Sequence, residues 1–201
     1  MAAKYFDLTM TPAVLAAQDR FTGRRYRLPS AGERDQLGPD EMAFIAARDS
    51  FYLGTVSETG WPYIQHRGGR PGFLRVTGPN SLAFADYTGN RQMLTTGNLA
   101  VSDRVSLFLM DYPNRERLKI LGHARVEDAR ARPELANEFA EPGDRSLVER
   151  IVFIDVVAFD WNCPKYITPR YTGAQVQAAM DPLLRRIAEL EAQLQQTTSR
   201  P

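Results

Sequence analysis

From Phe51 onward the chain alternates short apolar runs with turn-forming residues. Phe51-Tyr52-Leu53-Gly54-Thr55-Val56 is rich in aromatic and β-branched residues and closes on the turn Glu58-Thr59-Gly60. Six further runs of this kind follow: Pro62 to His66, Phe73 to Val76, Leu82 to Ala85, Val105 to Met110, Leu118 to Val126 and Ile151 to Phe159. The links between them hold Gly68-Gly69, Gly78-Pro79-Asn80 and Gly89-Asn90. Many short strands with such links predict an antiparallel barrel or sandwich. Helical patterns in between are sparse, at about Arg91 to Leu99 and Pro133 to Phe139.

The two ends read as helical. Thr11-Pro12 predicts an N-cap and a first-position proline, opening a helix to about Asp19. Residues 21–32, rich in Arg, Gly and Pro, read as a loop. Asp40 is the predicted cap of a second helix through about Arg48, with Met42, Phe44, Ile45 and Ala46 as its apolar content. Near the other end, Asp181-Pro182 repeats the cap-and-proline pattern ahead of a helix to about Gln195. Val176, Met180, Leu183, Ile187, Leu190 and Leu194 stand 4, 3, 4, 3 and 4 residues apart, a heptad seam. A helix starting at Pro182 would keep less than two heptads of it. The seam then packs on the chain's own body or on a partner subunit, and the pattern does not choose. The expected organisation is a barrel domain with N-terminal helices over 1–174, then a C-terminal amphipathic helix and tail over 175–201. The fold class is mainly β (α+β): an antiparallel split β-barrel with flanking helices.

Composition narrows the function classes. Among 201 residues, 25 Lys and Arg meet 24 Asp and Glu, so the basic excess of a protein that coats nucleic acid is missing. One cysteine, Cys163, excludes an internal disulfide and fits a reducing, cytoplasmic setting. No apolar run reaches the roughly 18–20 residues of a membrane span. The stretch Met1 to Gln18 carries Lys4 and Asp7 and reads as no signal peptide. The only two histidines, His66 and His123, and Cys163 show no metal-ligand spacing.

Four stretches hold candidate chemistry. In G-W-P-Y-I-Q-H-R-G-G-R-P-G, from Gly60 to Gly72, a strand ending in Gln65-His66-Arg67 runs into two glycines. Glycines permit close approach of a ligand, and the flanking donors can address a ring edge or a phosphate; a tight turn with surface arginines has the same sequence. In Ala85-Asp86-Tyr87-Thr88-Gly89-Asn90-Arg91-Gln92 a strand ends at a helix start, where backbone N–H groups with Asn90 and Arg91 form an anion site; a capped helix with an exposed arginine reads alike. In the stretch Asp111 to Gly122, Arg117 and Lys119 share one strand face, which needs a bound anion or solvent at a barrel rim. The irregular segment Asp160 to Tyr171 holds two prolines, three aromatics and two cations, a composition that often shapes a pocket. Cys163 within it has no histidine near in sequence, so a catalytic thiol is not expected.

In this order and spacing the stretches resemble the pyridoxamine 5′-phosphate oxidase-like, FMN-binding split-barrel superfamily, in an oxidase-related subgroup. The likeness runs from about Asp40 to Tyr171 through FYLGTVS, G-W-P-Y, the glycine turn, D-Y-T-G-N-R, VSLFLMDY and RLKILGHARV. It implies FMN lying along Gln65, His66, Arg67 and Gly68, with Arg70 near the phosphate or ribityl chain. It places the phosphate loop on Asn90 and Arg91, beside Asp86 and Gln92. The family's oxidases usually have Arg-Lys where this chain has Arg91-Gln92, and Arg67 or Arg70 would supply the missing charge. Arg117 and Lys119 would reach the flavin of a second subunit, and the Asn-Cys-Pro-Lys loop with Lys165 would close over its exposed face.

The resemblance further implies a homodimer with a small-molecule substrate or electron donor. It departs in one respect: the oxidases grip pyridoxamine phosphate with a C-terminal Arg-x-His strand, and this chain has no histidine after His123. The expected function is an FMN-dependent oxidoreductase of unassigned substrate, with no catalytic residue named and no metal. The alternative is a flavin-, deazaflavin- or haem-binding split-barrel protein without turnover of pyridoxamine phosphate. A haem would have only His66 or His123 as a histidine ligand.

Overall fold

The computed structural model of the chain describes residues 3–24, 30–89, 91–141, 143–144, 147–161 and 164–198. Among them are seven strands and six helices. The strands are β1 (Ser50–Val56), β2 (Pro62–Gly68), β3 (Arg75–Gly78), β4 (Ser81–Tyr87), β5 (Arg104–Asp111), β6 (Glu116–Asp128) and β7 (Val148–Trp161). The helices are α1 (Ala3–Thr9), α2 (Pro12–Thr22), α3 (Pro39–Ala46), α4 (Leu94–Val101), α5 (Pro133–Phe139) and α6 (Gly173–Thr198). The chain parts into two compact units, Met1–Asp111 with Glu116–Pro164, and Tyr112–Arg115 with Lys165–Pro201.

The first unit is one antiparallel sheet in the order β2-β1-β5-β6-β7-β4-β3. Its hydrogen-bond ladder does not close, so the barrel is split. Alternation decides what faces inward. On β1, Phe51, Leu53 and Thr55 are buried; on β5, Val105, Leu107 and Leu109; on β6, Leu118 and Ile120. β4 is different, being buried on both faces from Leu82 to Asp86. Leu82 and Phe84 join the main core, whereas Ala83 and Ala85 pack with Leu135, Ala136 and Phe139 of α5. The small alanines leave room for that helix.

β6 and β7 shift register between Leu121 and Gly122. A Cβ on Gly122 would lie 2.6 Å from the Asp155 carbonyl oxygen, so only glycine fits beside the bulge. The carbonyl of Val157, which the bulge leaves without a rung, accepts from the Asp35 N–H at 3.0 Å.

Side chains span the split. Arg67 on the edge strand β2 pairs with Asp86 on β4 at 2.6 Å, although the two strands stand five places apart in the sheet. The Arg67 guanidinium also covers the Phe84 ring, 5.6 Å from its centroid. Phe51 stacks on Phe73 and meets Phe84 edge-on.

All seven expected strands form, the third of them at Arg75–Gly78 rather than Phe73–Val76. The helices bring corrections. α1 was not anticipated. α3 starts at Pro39 with Gly38 as its N-cap, not Asp40: the Glu41 carboxylate accepts from the Gly38 N–H at 2.9 Å, a cap made by the third helical residue. Thr11 caps α2 as expected, its hydroxyl accepting from the Val14 N–H, and the helix runs on through Thr22. α4 begins at Leu94, three residues past the expected Arg91, because Arg91 (φ 60°) and Met93 (φ 56°) adopt left-handed backbone.

In the second unit the Arg170 guanidinium lies 4.9 Å from the centroid of the Tyr112 ring. Asp181 does not cap a new helix: α6 is continuous from Gly173, with Pro182 inside it. The start is a reciprocal cap: the Gln175 N–H donates to the Thr172 hydroxyl at 3.2 Å, and the Thr172 N–H donates to Gln175 Oε1 at 2.9 Å. Asp181 instead accepts from Gln177 Nε2 at 2.7 Å, one turn back along the same helix. The seam is therefore whole, not cut by Pro182.

Candidate functional site

A pocket of about 200 Å³ opens at the split, between β2, the end of β4 and the start of α4. Tyr63, Gln65 and Arg67 line it from β2, one face of the strand at two-residue spacing. Asp86, Tyr87 and Gly89 come from β4 and its loop, Arg91 to Thr96 from the approach to α4, and Arg150 from β7.

Two side-chain hydrogen bonds fix α4. The buried Thr95 hydroxyl donates to Gln65 Oε1 on β2 at 2.8 Å. Asn98 Nδ2 donates to the buried Thr55 hydroxyl on β1 at 2.9 Å. The helix start has no side-chain cap. Its first N–H groups thus border the pocket and carry the partial positive charge of a helix N-terminus.

The charges of the pocket lean positive. Asp86 takes Arg67 on one oxygen at 2.6 Å and Arg150 on the other at 2.9 Å. Arg150 also contacts Glu149 at 3.0 Å. Three arginines (67, 91 and 150) line the pocket against one carboxylate, Asp86. Arg67 Nε is buried and has no hydrogen-bond partner among the described residues. A buried donor left so is costly, by about 1–3 kcal/mol, and an acceptor in the pocket would relieve it.

The structure brings Gln65, Arg67, Asp86, Arg91 and Gln92 together at this pocket. Asn90 lies outside the described residues, as do Asn162 and Cys163. His66 lies on the other face of β2, exposed, its ring 5.7 Å from that of Tyr52. Gly68 ends the strand, and Arg70 lies in the turn beyond it. The close approach at Gly69 is made by the chain's own Phe73, 2.6 Å from where a Cβ would lie. Arg117 covers the Phe108 ring, and Lys119 is held by Asp160 at 2.7 Å and lies 4.7 Å from the centroid of the Tyr5 ring. Lys165 belongs to the second unit, beside Tyr166.

Sequence reasoning missed Arg150, Tyr63 and Thr95. Arg150 is 64 residues from Asp86, and in a run such as V-E-R-I-V nothing distinguishes an inward arginine from a solvated one. Tyr63 was findable, two residues before Gln65 on a strand already assigned.

A second, wider cavity of about 790 Å³ adjoins the first and shares Met93, Thr96 and Arg150 with it. His123 Nδ1 lies 3.0 Å from Asp103 in its wall, and that imidazole holds the Asp103 carboxyl below the usual aspartate range. Among the described residues, no group of three or more His, Cys, Asp or Glu is placed to hold a metal ion, and no helix is long and apolar enough to cross a membrane.

The family model for pyridoxamine 5′-phosphate oxidase matches residues 38–152, more than half of the chain, and the chain belongs to that family. Similar solved structures include a putative pyridoxamine 5′-phosphate oxidase from Lactobacillus delbrueckii, with 20% identity over 63% of this chain and 94% of that one and a TM-score of 0.48. A conserved hypothetical protein from Mycobacterium tuberculosis shares 13% identity, covering 71% of this chain and 96% of its own, with a TM-score of 0.48. An FMN-binding protein from Syntrophomonas wolfei shares 10% identity, covering 60% and 81%, with a TM-score of 0.42. No curated protein matches the chain at comparable significance.

Proposed function

We propose that the protein is an FMN-binding homodimer that works as an FMN-dependent oxidoreductase on a small molecule. The observation that carries this reading is the pocket at the barrel split: three arginines, an uncapped helix start and a buried Arg67 Nε without a partner among the described residues. Such a donor set suits a phosphate with an adjoining polar chain. Family membership supports a flavin as the bearer of that phosphate.

In this reading Arg91, Arg150 and the first N–H groups of α4 hold the phosphate. Arg67, anchored by Asp86, meets a polar edge of the ligand. Gln65, whose Oε1 is taken by Thr95, keeps its amide nitrogen as a donor for a ring carbonyl. Gln92, which lines the same pocket, is assigned to the phosphate side. The bound flavin supplies the hydride or electron transfer. The chain's part is to bind it, orient it and place positive charge near it.

The pocket is smaller than the roughly 300–1,000 Å³ of a complete ligand site. A second subunit would supply the missing wall, with Arg117 the side chain assigned to reach across. Lys119, tied to Asp160, is assigned to holding β6 against β7. The wider cavity around His123 and Asp103 is the place for substrate or electron donor. Pyridoxamine phosphate is not proposed as the substrate, since no histidine follows His123 to make an Arg-x-His strand and residues 173–198 are helical.

The test is reconstitution of purified protein with FMN, followed by fluorescence quenching and the visible spectrum. Expected is saturable, stoichiometric binding that Arg67→Ala weakens. Binding of a deazaflavin in preference to FMN, or a Soret band after haem addition, would replace FMN with the alternative cofactor.

A further inference from the structure

We propose that α6 pairs with α6 of a second copy of this chain as a parallel, in-register two-stranded coiled coil. The helix is 26 residues long and continuous through Pro182. Val176, Met180, Leu183, Ile187, Leu190 and Leu194 are each at least 42% exposed along it. Their 4-3 spacing puts Met180, Ile187 and Leu194 at the a positions of a heptad and Val176, Leu183 and Leu190 at d. A period of 3.5 keeps one stripe facing one partner helix, which a surface lying on a globular body does not require.

Residue type and charge then select the occupant. At the central heptad, Ile187 at a with Leu183 and Leu190 at d is the arrangement that favours two parallel strands, while the outer a positions are Met180 and Leu194. Arg186 falls at g and Glu191 at e. In a parallel pair, g of one helix faces e of the next heptad on the other, five residues on, and 191 is 186 plus 5. Arg186 contacts Glu189 of its own helix at 3.0 Å, an exposed pair that it would exchange for Glu191 of the second copy, twice by symmetry. Pro182 falls at c and points away from the seam, where its missing N–H does not disturb the contact. The polar face holds Arg185 and Arg186 against Asp181, Glu189 and Glu191, a balance that does not suit an anionic membrane surface.

A coil of about three heptads is marginal by itself. Two copies already joined at their flavin sites would hold the helices at high effective concentration, and in this respect alone the inference rests on the homodimer reading.

The test uses the full-length flavin-loaded protein with Cys163→Ser as background and one new cysteine at a time: Met180→Cys, Leu194→Cys or Arg185→Cys. Expected under mild oxidation are same-position links between copies at 180 and at 194, with Arg185→Cys, on the outer face, at background. In the unmodified chain, Arg186→Glu or Glu191→Arg should weaken self-association severalfold by sedimentation, and the double exchange should restore it. Links only in a mixture of Met180→Cys with Leu194→Cys would show antiparallel helices and overturn the proposal. No links at either position in a protein that still sediments as a flavin-loaded dimer would overturn the coil and leave the flavin interface standing. A monomer without links would overturn both.

Discussion

Two sets of enclosed ion pairs hold this barrel, and they are built differently. Away from the split, cations and carboxylates match one to one. Arg48 pairs with Asp111 at 2.7 Å, donates to the Phe44 and Met110 carbonyls and lies over the Phe44 ring. Lys119 pairs with Asp160 at 2.7 Å. At the split, one aspartate serves two arginines, a third arginine lines the same pocket, and Arg67 keeps a buried Nε without a partner among the described residues. Matched pairs add little net stability once desolvation is counted, and they fix geometry. With Glu149 on Arg150 counted, the cluster has one cation in excess, the exposed Arg91, and a bound anion would complete it. On the proposed function, that contrast separates side chains that hold the barrel from side chains that would meet the ligand.

The largest effect should come from removing the shared carboxylate. Asp86→Ala leaves Arg67 enclosed without its counter-charge and Arg150 with Glu149 alone, and should cost about 3–5 kcal/mol of unfolding free energy, read by urea denaturation. Inorganic phosphate should then raise the melting temperature of this variant more than that of the parent. A loss under 1 kcal/mol would mean that the cluster relaxes into solvent and that the contrast is false. Next comes Arg91→Ala, which should weaken FMN binding by about 1.5–3 kcal/mol, the scale of a charge-assisted hydrogen bond, with stability unchanged. An unaltered dissociation constant in a folded variant would remove Arg91 from the site.

Lys119→Met tests the matched side. It should cost about 1–2 kcal/mol of stability by stranding Asp160, and leave FMN affinity within about twofold. The reverse outcome, weak binding in a stable variant, would place Lys119 at a flavin. The smallest effect lies on the exposed surface. Hydrogen bonds from the Arg130 side chain, then from its backbone N–H, lower the Asp128 carboxyl from 3.8 to about 2. A carboxyl lowered on folding stabilises the native state above its ordinary value, and that contribution fades as pH falls through about 2. A titration of the Asp128 carboxyl by NMR with its midpoint near 3.8 would show that the pair is open in solution.

The strands were legible because each carries its own signal. In Phe51 to Val56 or Val105 to Met110, alternation and β-branched content agree with the turns on either side. The helix starts were less so. The Gly38 cap depends on Glu41 reaching back, and the break before α4 depends on left-handed backbone at Arg91 and Met93, which no side chain there announces. Asp181-Pro182 misled for a plain reason. A cap-and-proline pair also fits a helix interior when an earlier cap has already started the helix, and Thr172-x-x-Gln175 was in the sequence to be read.

The site was half legible. Gln65, Arg67, Asp86 and Arg91 stand in short stretches whose glycines and polar residues mark loops, and the structure gathers them at one pocket. The seven strands, the antiparallel class and the heptad seam of α6 follow from local properties: alternation, turn residues and 3.5-residue spacing. Long-range packing sets the rest: β2 meets β4 across an unclosed ladder, Arg150 comes from 64 residues away to share Asp86, and His66 faces outward while Arg67 faces in. Those outcomes depend on register, on the bulge at Gly122 and on which strand ends at the split. A one-residue change of register would exchange the two faces of β2 while leaving its sequence untouched.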